Sequence, residues 1–370
     1  MGFGMGLNLL LLLAMVATNI LSLYHLTSSL QNKQPQQLQP QIPDHLHNQL
    51  QTIRSTITHL THLRSTPTTS NNPTTSIPSD LLLYSHFSPI ASSCRNHPQL
   101  LHTYMNYTPY TICPLDTDLA EALILRGCHP LPRRRCFSQT PSKLPSTLPT
   151  HPFPTSLPDT SIIWSYTCTH FECLEKKNLG FDMKVESTKF TTFKSDLDLP
   201  VQQLFQIAKE SRNVIRLGLD VGAGTGTFAA IMKLYNVTVM STTMNLGAPY
   251  NEVIALRGLV PLHVPLQQRF PIFDGVLDLV RCSHAVNRWI PVKAMEFLFY
   301  DVDRVLRGGG YFWLDHFFSK GVDLDKVYTP LIGKLGYKKI KWATGIKSDS
   351  SGGKNGEVYL TALLQKPAVK

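Results

Sequence analysis

Leu219-Asp220-Val221-Gly222-Ala223-Gly224-Thr225-Gly226 decides how the second half of this 370-residue chain is read. An apolar run from Ile215 to Val221 reads as a buried strand, and Thr227 to Leu234 reads as a helix. Glycines at 222, 224 and 226 let the backbone turn tightly between the two, with no side chain projecting into whatever lies across the turn. Amides of the turn and of the following helix start can receive an anionic group.

Such a turn also opens dinucleotide sites, so the spacing matters. Those sites place their third glycine three residues after the second and end the next strand on an acid. Here the third glycine comes one position early, Thr227 stands in its place, and no acid ends the next strand, Val237 to Met240. The spacing disfavours a nicotinamide dinucleotide.

Outward from the turn, strands and helices alternate. Val201–Lys209 and Glu296–Leu306 read as helices; Leu277–Cys282, Gly310–Asp315 and Val358–Leu364 read as strands. Repeated β-α-β units predict an α/β fold with a doubly wound parallel sheet, whose ligand lies beyond the carboxyl ends of the strands where their order reverses.

Two further blocks join the glycine turn in a consistent order. RFPIFDGVLDLVRCSHAVNRW, Arg269 to Trp289, resembles the class I methyltransferase pattern of loop, buried aspartate (Asp278), strand and catalytic loop. DVDRVLRGGGYFWLDHFF, Asp301 to Phe318, resembles the helix-glycine-strand segment of the same enzymes. With VTVMSTTM, ALRGLVPLHVP and LDLVRCSHA, the chain resembles the plant Golgi-anchored methyltransferases associated with pectin (homogalacturonan) methylation, as a shorter and divergent branch. The likeness is firm over 185–370 and loose over 81–180.

The resemblance implies a Rossmann-like domain over 181–370 that binds S-adenosyl-L-methionine. Asp220, Gly222, Ala223, Gly224, Thr225, Gly226, Thr243, Gln267 and Ser283 would line its cofactor site. His284, Asn287 and Arg288 would face the methyl acceptor, His284 as a base and Arg288 as a fork for a substrate carboxylate. His316, beside Asp315, is a lesser candidate, and Asp278 is expected to be structural. The acid that usually holds the ribose is missing near Ser241–Thr243, and the one that usually meets the adenine amine is missing near Leu266. Neutral hydroxyls and amides would take over, at roughly half the strength of charged partners, so weaker cofactor binding is expected.

The first half is composed differently. Leu7–Leu26 carries no charge and has the roughly 20 residues a spanning helix needs, so it reads as a signal anchor behind a short tail at 1–6. A cleaved signal peptide ending near Ala14 or Ala17 is the alternative. Residues 27–80 are a low-complexity stem, rich in Pro, Gln, Thr and Asn, that cannot bury enough apolar area to order itself. Leu46, Leu50, Ile53, Ile57 and Leu60 form a heptad-like seam at 44–64 that could pair stems in a homo- or hetero-oligomer.

Six of the seven cysteines (Cys94, Cys113, Cys128, Cys136, Cys168, Cys173) fall in the 81–180 region, which predicts a cap pinned by up to three disulfides in an oxidising lumen, the pairing left open. Cys168-x-His170-x-x-Cys173 is not a usual zinc spacing, and no metal is expected. Asn106-Tyr107-Thr108 is a glycosylation sequon; a second, at Asn236, is expected to enter a core strand. The net charge of +10, densest at Arg133-Arg134-Arg135 and Lys176-Lys177, suits an acidic polysaccharide better than nucleic acid, for which no binding module is present. Together these readings predict a single-pass membrane enzyme with a luminal catalytic domain, and the resemblance to the plant family implies the Golgi as its membrane. The competing reading is a catalytically inactive luminal scaffold.

Overall fold

The computed structural model describes residues 92–141, 151–283, 285–346 and 356–368. The expected anchor at 7–26, the stem at 27–80 with its seam at 44–64, and His284 lie outside the described residues. Among the described residues no helix is long and apolar enough to cross a membrane.

Two short helices, α1 (Pro98–Met105) and α2 (Thr117–Leu125), open the cap. Disulfides Cys94–Cys128 and Cys113–Cys136 tie the segments around them together. The third, Cys168–Cys173, staples the start of α3 (Phe171–Lys176), so the two sulfurs of the weighed zinc motif are bonded to each other. After α3 comes one turn, α4 (Met183–Glu186), started by Asp182, whose carboxylate accepts from the amides of Lys184 and Val185. Trp164 packs edge-on against Phe171 at 5.2 Å.

The catalytic half follows as α5 (Val201–Glu210), β1 (Leu217–Val221), α6 (Thr227–Leu234), β2 (Thr238–Thr242), α7 (Tyr250–Leu256), β3 (Val260–Leu262), β4 (Leu277–Cys282), α8 (Val292–Val305) and β5 (Leu306–Lys320). Three short helical segments, Gly321–Asp323, Leu324–Tyr328 and Thr329–Gly333, lead to β6 (Lys338–Ile346) and β7 (Glu357–Gln365). The strands form one sheet in the order β3-β2-β1-β4-β5-β7-β6.

The expectation of a parallel sheet holds for β1 to β5 and fails at β7, the one reversed strand of the sheet among the described residues. β1 to β5 pair in parallel, but β7 runs antiparallel to both β5 and β6. β6 and β7 are consecutive, and an antiparallel pair needs no crossover helix. β6, absent from the sequence reading, is an edge strand beginning Lys338-Lys339, both exposed, as edges that must not recruit another chain commonly are.

Alternation along β5 shows how the two faces fill. Phe312 and Leu314 pack with α8 and the helical segments after β5, on the face that also holds Val221, Val280 and Cys282. Tyr311 and Trp313 point the other way, toward α5 and α6 with Leu204, Phe228 and Met232. A third cluster joins cap to sheet: Ile162, Phe171, Phe181 and Met183 bury against Ala248, Val253 and Leu256 around α7. The asparagines of both sequons are exposed; Asn236 sits in the turn ahead of β2 with a positive φ of 60°, and its sequon enters that strand at Thr238, as expected.

Strand order reverses around β1, whose neighbours are β2 on one side and β4 on the other. The functional residues cluster at the carboxyl end of that junction.

Candidate functional site

The turn after β1 adopts left-handed backbone at Gly222, Gly224 and Gly226, with φ of 74°, 57° and 79°. A side chain at Gly222 would come within 2.6 Å of the Ala285 methyl and 2.9 Å of Ser283 Oγ, so this glycine lets the β4 loop close onto the turn. A side chain at Gly224 would meet nothing within 4 Å. Gly222 therefore serves packing, while Gly224 keeps space open in front of the backbone. The amides of Gly222 and Ala223 both donate to Thr242 O, at 3.1 and 2.9 Å, which corrects the expectation that they are offered to a ligand.

From the cap side the turn is held by side chains. Thr225 Oγ1 donates to Gly180 O at 2.8 Å, and Thr227 Oγ1 donates to the buried carboxylate of Glu186. Arg257, wholly buried, donates Nη1 to Thr225 O and Nε to Pro152 O, each at 2.8 Å. Its burial lowers the guanidinium pKa to about 10, still charged at neutral pH. The cap thus forms part of the site's wall.

In front of the turn lies a cavity of about 1050 Å³. Of the residues expected to bind a cofactor, Gly222, Ala223, Gly224, Thr225, Thr243, Gln267 and Ser283 line it. Thr242, Met244, Leu246, Val264 and Leu266 extend the wall past β2 and β3, and Leu125, Lys189, Phe190, Lys194 and Tyr250 form the opposing side. Gly226 is not in the wall: it starts α6, and a side chain there would strike Ile254.

Asp220 is also not in the wall. It is fully buried behind the turn and ion-paired at 2.6 Å with Nη1 of Arg281, its register partner on β4. Arg281 Nε also donates to Asp315 Oδ2 at 3.0 Å, and Asp315 Oδ1 accepts from His316 Nδ1 at 2.7 Å. Phe190, Phe228 and Trp313 surround the guanidinium with their rings, at 4.8, 5.0 and 5.6 Å from its carbon. Arg281, Asp315 and His316 all reach the cavity.

One guanidinium therefore serves two carboxylates, and their environments push them apart. Burial outweighs the attraction of Arg281 at Asp220, one of whose oxygens has no hydrogen-bond partner, and raises its pKa to about 6. Asp315 is equally buried, but Arg281 and His316 together bring it down to about 2. The Asp315 hydrogen bond raises the His316 pKa against the opposing effect of burial.

The expected acceptor-side residues are placed otherwise. Arg288 does not line the cavity: its guanidinium pairs with Glu357 of β7 at 3.1 Å, which directs it away from a substrate carboxylate. Asn287 is buried and does not reach the cavity either; it donates Nδ2 to Ala285 O and accepts from Trp289 N at 2.9 Å, ordering the loop. His284 lies outside the described residues, though its neighbours Ser283 and Ala285 are in the wall. Asp278 has the structural role expected, accepting from Arg216 N and Leu217 N and pairing with Arg307 at 2.6 Å.

Arg281 was missed in the sequence. The available signal was a cation inside a strand with no exposed position, since a buried charge requires partners.

A family model described as "Putative S-adenosyl-L-methionine-dependent methyltransferase" matches residues 133–320. The chain is 60% identical to Probable methyltransferase At1g29790 of Arabidopsis thaliana, with all of both chains covered. It is 28% identical to Probable methyltransferase PMT16 of the same plant, over 41% of this chain and a quarter (25%) of that one. Among solved structures, N-methyltransferase NodS from Bradyrhizobium japonicum in complex with S-adenosyl-L-homocysteine aligns at a TM-score of 0.33 and 13% identity, covering 45% of this chain and 85% of that one. A turn, a cavity and a sheet reversal of this kind, over sequence this similar, leave one assignment: the chain belongs to the family of S-adenosyl-L-methionine-dependent methyltransferases.

Proposed function

We propose that this methyltransferase acts in the secretory pathway on an oxygen of an acidic cell-wall polysaccharide, either a galacturonate carboxylate or a sugar hydroxyl. The observation that carries this reading is the cavity itself. At about 1050 Å³ it lies at the upper end of the roughly 300–1,000 Å³ usual for small-ligand sites, which leaves room for an acceptor beside a cofactor. Lys194 in its lining is a cation suited to a polyanionic chain, whereas Lys189 is paired with Glu186 at 2.6 Å. The Cys94–Cys128, Cys113–Cys136 and Cys168–Cys173 bonds support an oxidising compartment, and the apolar segment at 7–26 would hold the chain in the Golgi membrane.

The residues present fit the cofactor. Open space over Gly224 would take its methionine part, near the amides of Gly224 and Thr225. Thr243 and Gln267 offer hydroxyl and amide groups for the ribose and base, flanked by the apolar Met244, Val264 and Leu266. When bound, the group supplies an electrophilic methyl on a sulfonium. The protein's share is positioning: the turn, Ser283 and Ala285 would fix where an acceptor oxygen can stand, and holding reactants in line can supply most of the acceleration.

Calorimetry of the purified protein with S-adenosyl-L-methionine, followed by methyl transfer to acidic and neutral polysaccharides, tests the reading. Saturable cofactor binding with label entering an acidic glycan is expected. Binding without transfer to any glycan would refute the polysaccharide assignment and favour a luminal scaffold.

A further inference from the structure

We propose that His316, oriented by Asp315, is the general base that takes the proton from a hydroxyl acceptor, and hence that the chain makes methyl ethers. This rests on the polysaccharide reading above and narrows it to one oxygen type.

The geometry begins with a break in the sheet. β5 and β7 pair regularly up to Leu314 and again from Phe317, and the register shifts between them. Asp315 and His316 occupy that bulge. Bulges redirect side chains and are over-represented beside active sites. His316 also has a φ of 54°, left-handed backbone that non-glycine residues adopt at a cost and that clusters where function requires it. The bulge lies on the strand next to β4, at the carboxyl end where the glycine turn stands, and both residues open onto the same cavity as Gly222, Ala223 and Ser283.

The tautomer follows from the partners. Asp315 is ionised and can only accept, so the 2.7 Å bond requires Nδ1 of His316 to carry the proton. Nε2 of the neutral ring then presents a lone pair, and the side chain is about one-third exposed (34%) toward the cavity. Arg281 fixes Asp315 from behind through its other oxygen. The charged and titratable groups around the imidazole are Asp315 on its own strand, Arg281 on β4, Asp198 from the loop before α5, and Tyr359 of β7, whose ring stacks edge-on at 5.6 Å.

In the step, the acceptor oxygen forms its bond to the methyl carbon as the carbon–sulfur bond breaks with its electron pair leaving on sulfur. The hydroxyl proton passes to Nε2, and the resulting imidazolium is stabilised by Asp315. A carboxylate acceptor has no proton to give and makes no use of this dyad.

The experiment uses the full-length protein with methyl-labelled S-adenosyl-L-methionine and two probes, a galacturonate oligosaccharide and a neutral hydroxyl-only oligosaccharide. Label is sorted by alkali, which saponifies esters and leaves ethers. We expect alkali-stable label from the wild type, an at least ~100-fold loss of it in His316→Gln, and unchanged cofactor affinity by calorimetry. Asp315→Asn should lower the His316 titration midpoint followed by imidazole NMR. Alkali-labile label alone from the wild type would overturn the proposal. So would alkali-stable label that survives His316→Gln within a few-fold, or that falls with His284→Gln instead. If cofactor binds but neither oligosaccharide is labelled, the polysaccharide reading fails. The NMR titration then decides the dyad: a His316 midpoint indifferent to Asp315→Asn overturns it, and a lowered one upholds it.

Discussion

Asp220 and Asp315 share one arginine, yet replacing each by its neutral amide should change stability in opposite directions. The folded-state pKa of Asp220 is about 6 against an ordinary 3.8, so the folded protein holds that proton more tightly than the unfolded chain. The contribution is therefore a cost, absent below pH 3.8, growing as pH rises and complete above 6. At about 1.4 kcal/mol per pH unit of separation it amounts to ~3 kcal/mol. Asp315 runs the other way. With a folded pKa of about 2 it contributes on the order of 2 kcal/mol that is fully present above 3.8 and lost as pH falls toward 2. Asp220→Asn should thus stabilise the protein by up to ~3 kcal/mol at pH 8 and by almost nothing near pH 4, since the wild-type carboxyl is then already neutral. Asp315→Asn should destabilise by ~2 kcal/mol or more at pH 8, because it also strips His316 Nδ1 of its acceptor. Urea unfolding of both variants at pH 4, 6 and 8 measures this directly. Destabilisation by Asp220→Asn at pH 8, or an effect independent of pH, would refute the reasoning. A carboxylate retained at such a cost, immediately before the glycine turn, should matter to the site. We therefore expect Asp220→Asn to weaken cofactor binding while it strengthens the fold.

The two forward glycines should separate packing from binding. Gly224→Ala adds left-handed strain on the order of 1–2 kcal/mol and places a methyl in the cavity, so cofactor affinity by calorimetry should fall at least tenfold while the protein stays folded. Gly222→Ala forces a methyl to within 2.6 Å of Ala285 and should lower thermal stability more than Gly224→Ala does. The Cys94–Cys128 bond closes a loop across a 34-residue separation, so opening it should cost ~3–4 kcal/mol in thermal or urea unfolding, visible as a lower midpoint in reductant. Arg257→Met removes donors to both Pro152 O and Thr225 O; limited proteolysis should then cut the cap near 152 faster, and cofactor affinity should drop because the turn loses its clamp.

Local signals made β1, β2, β4, β5 and β7 legible, while the three-residue β3 gave no signal of its own. Leu277–Cys282 and Thr227–Leu234 fall where periodicity and the glycine turn put them, because a doubly buried strand and a helix behind left-handed glycines have few alternatives. The far edge of the sheet was not legible. β6 mixes lysines with half-buried residues, so it shows neither a continuous apolar run nor a clean alternation, and its pairing with β7 is tertiary information. The cavity-lining glycines, Thr243, Gln267 and Ser283 were readable from motif order, since each follows the end of a parallel strand or lies in the loop between β3 and β4. Arg288 was misread because its spacing after β4 matches a catalytic loop, whereas Glu357, which claims it, arrives from a strand about 70 residues later in sequence.

Hydroxyls rather than an acid stand at the end of β2. An acid there would join a cavity whose lining already holds Glu186, Asp198 and Asp315. Of these, Glu186 is paired to Lys189 at 2.6 Å and Asp315 to Arg281, while Asp220 stands one strand away with an unpartnered oxygen. A further carboxylate there would raise the Asp220 pKa again and deepen the cost already present behind the turn. Thr242 and Thr243 avoid that repulsion while keeping hydroxyls in the wall. Thr243→Asp should therefore lower stability above pH 6 in wild-type protein, and do so less when Asp220 is replaced by Asn. Equal losses in the two backgrounds would show that the β2 end and the buried arginine cluster do not communicate.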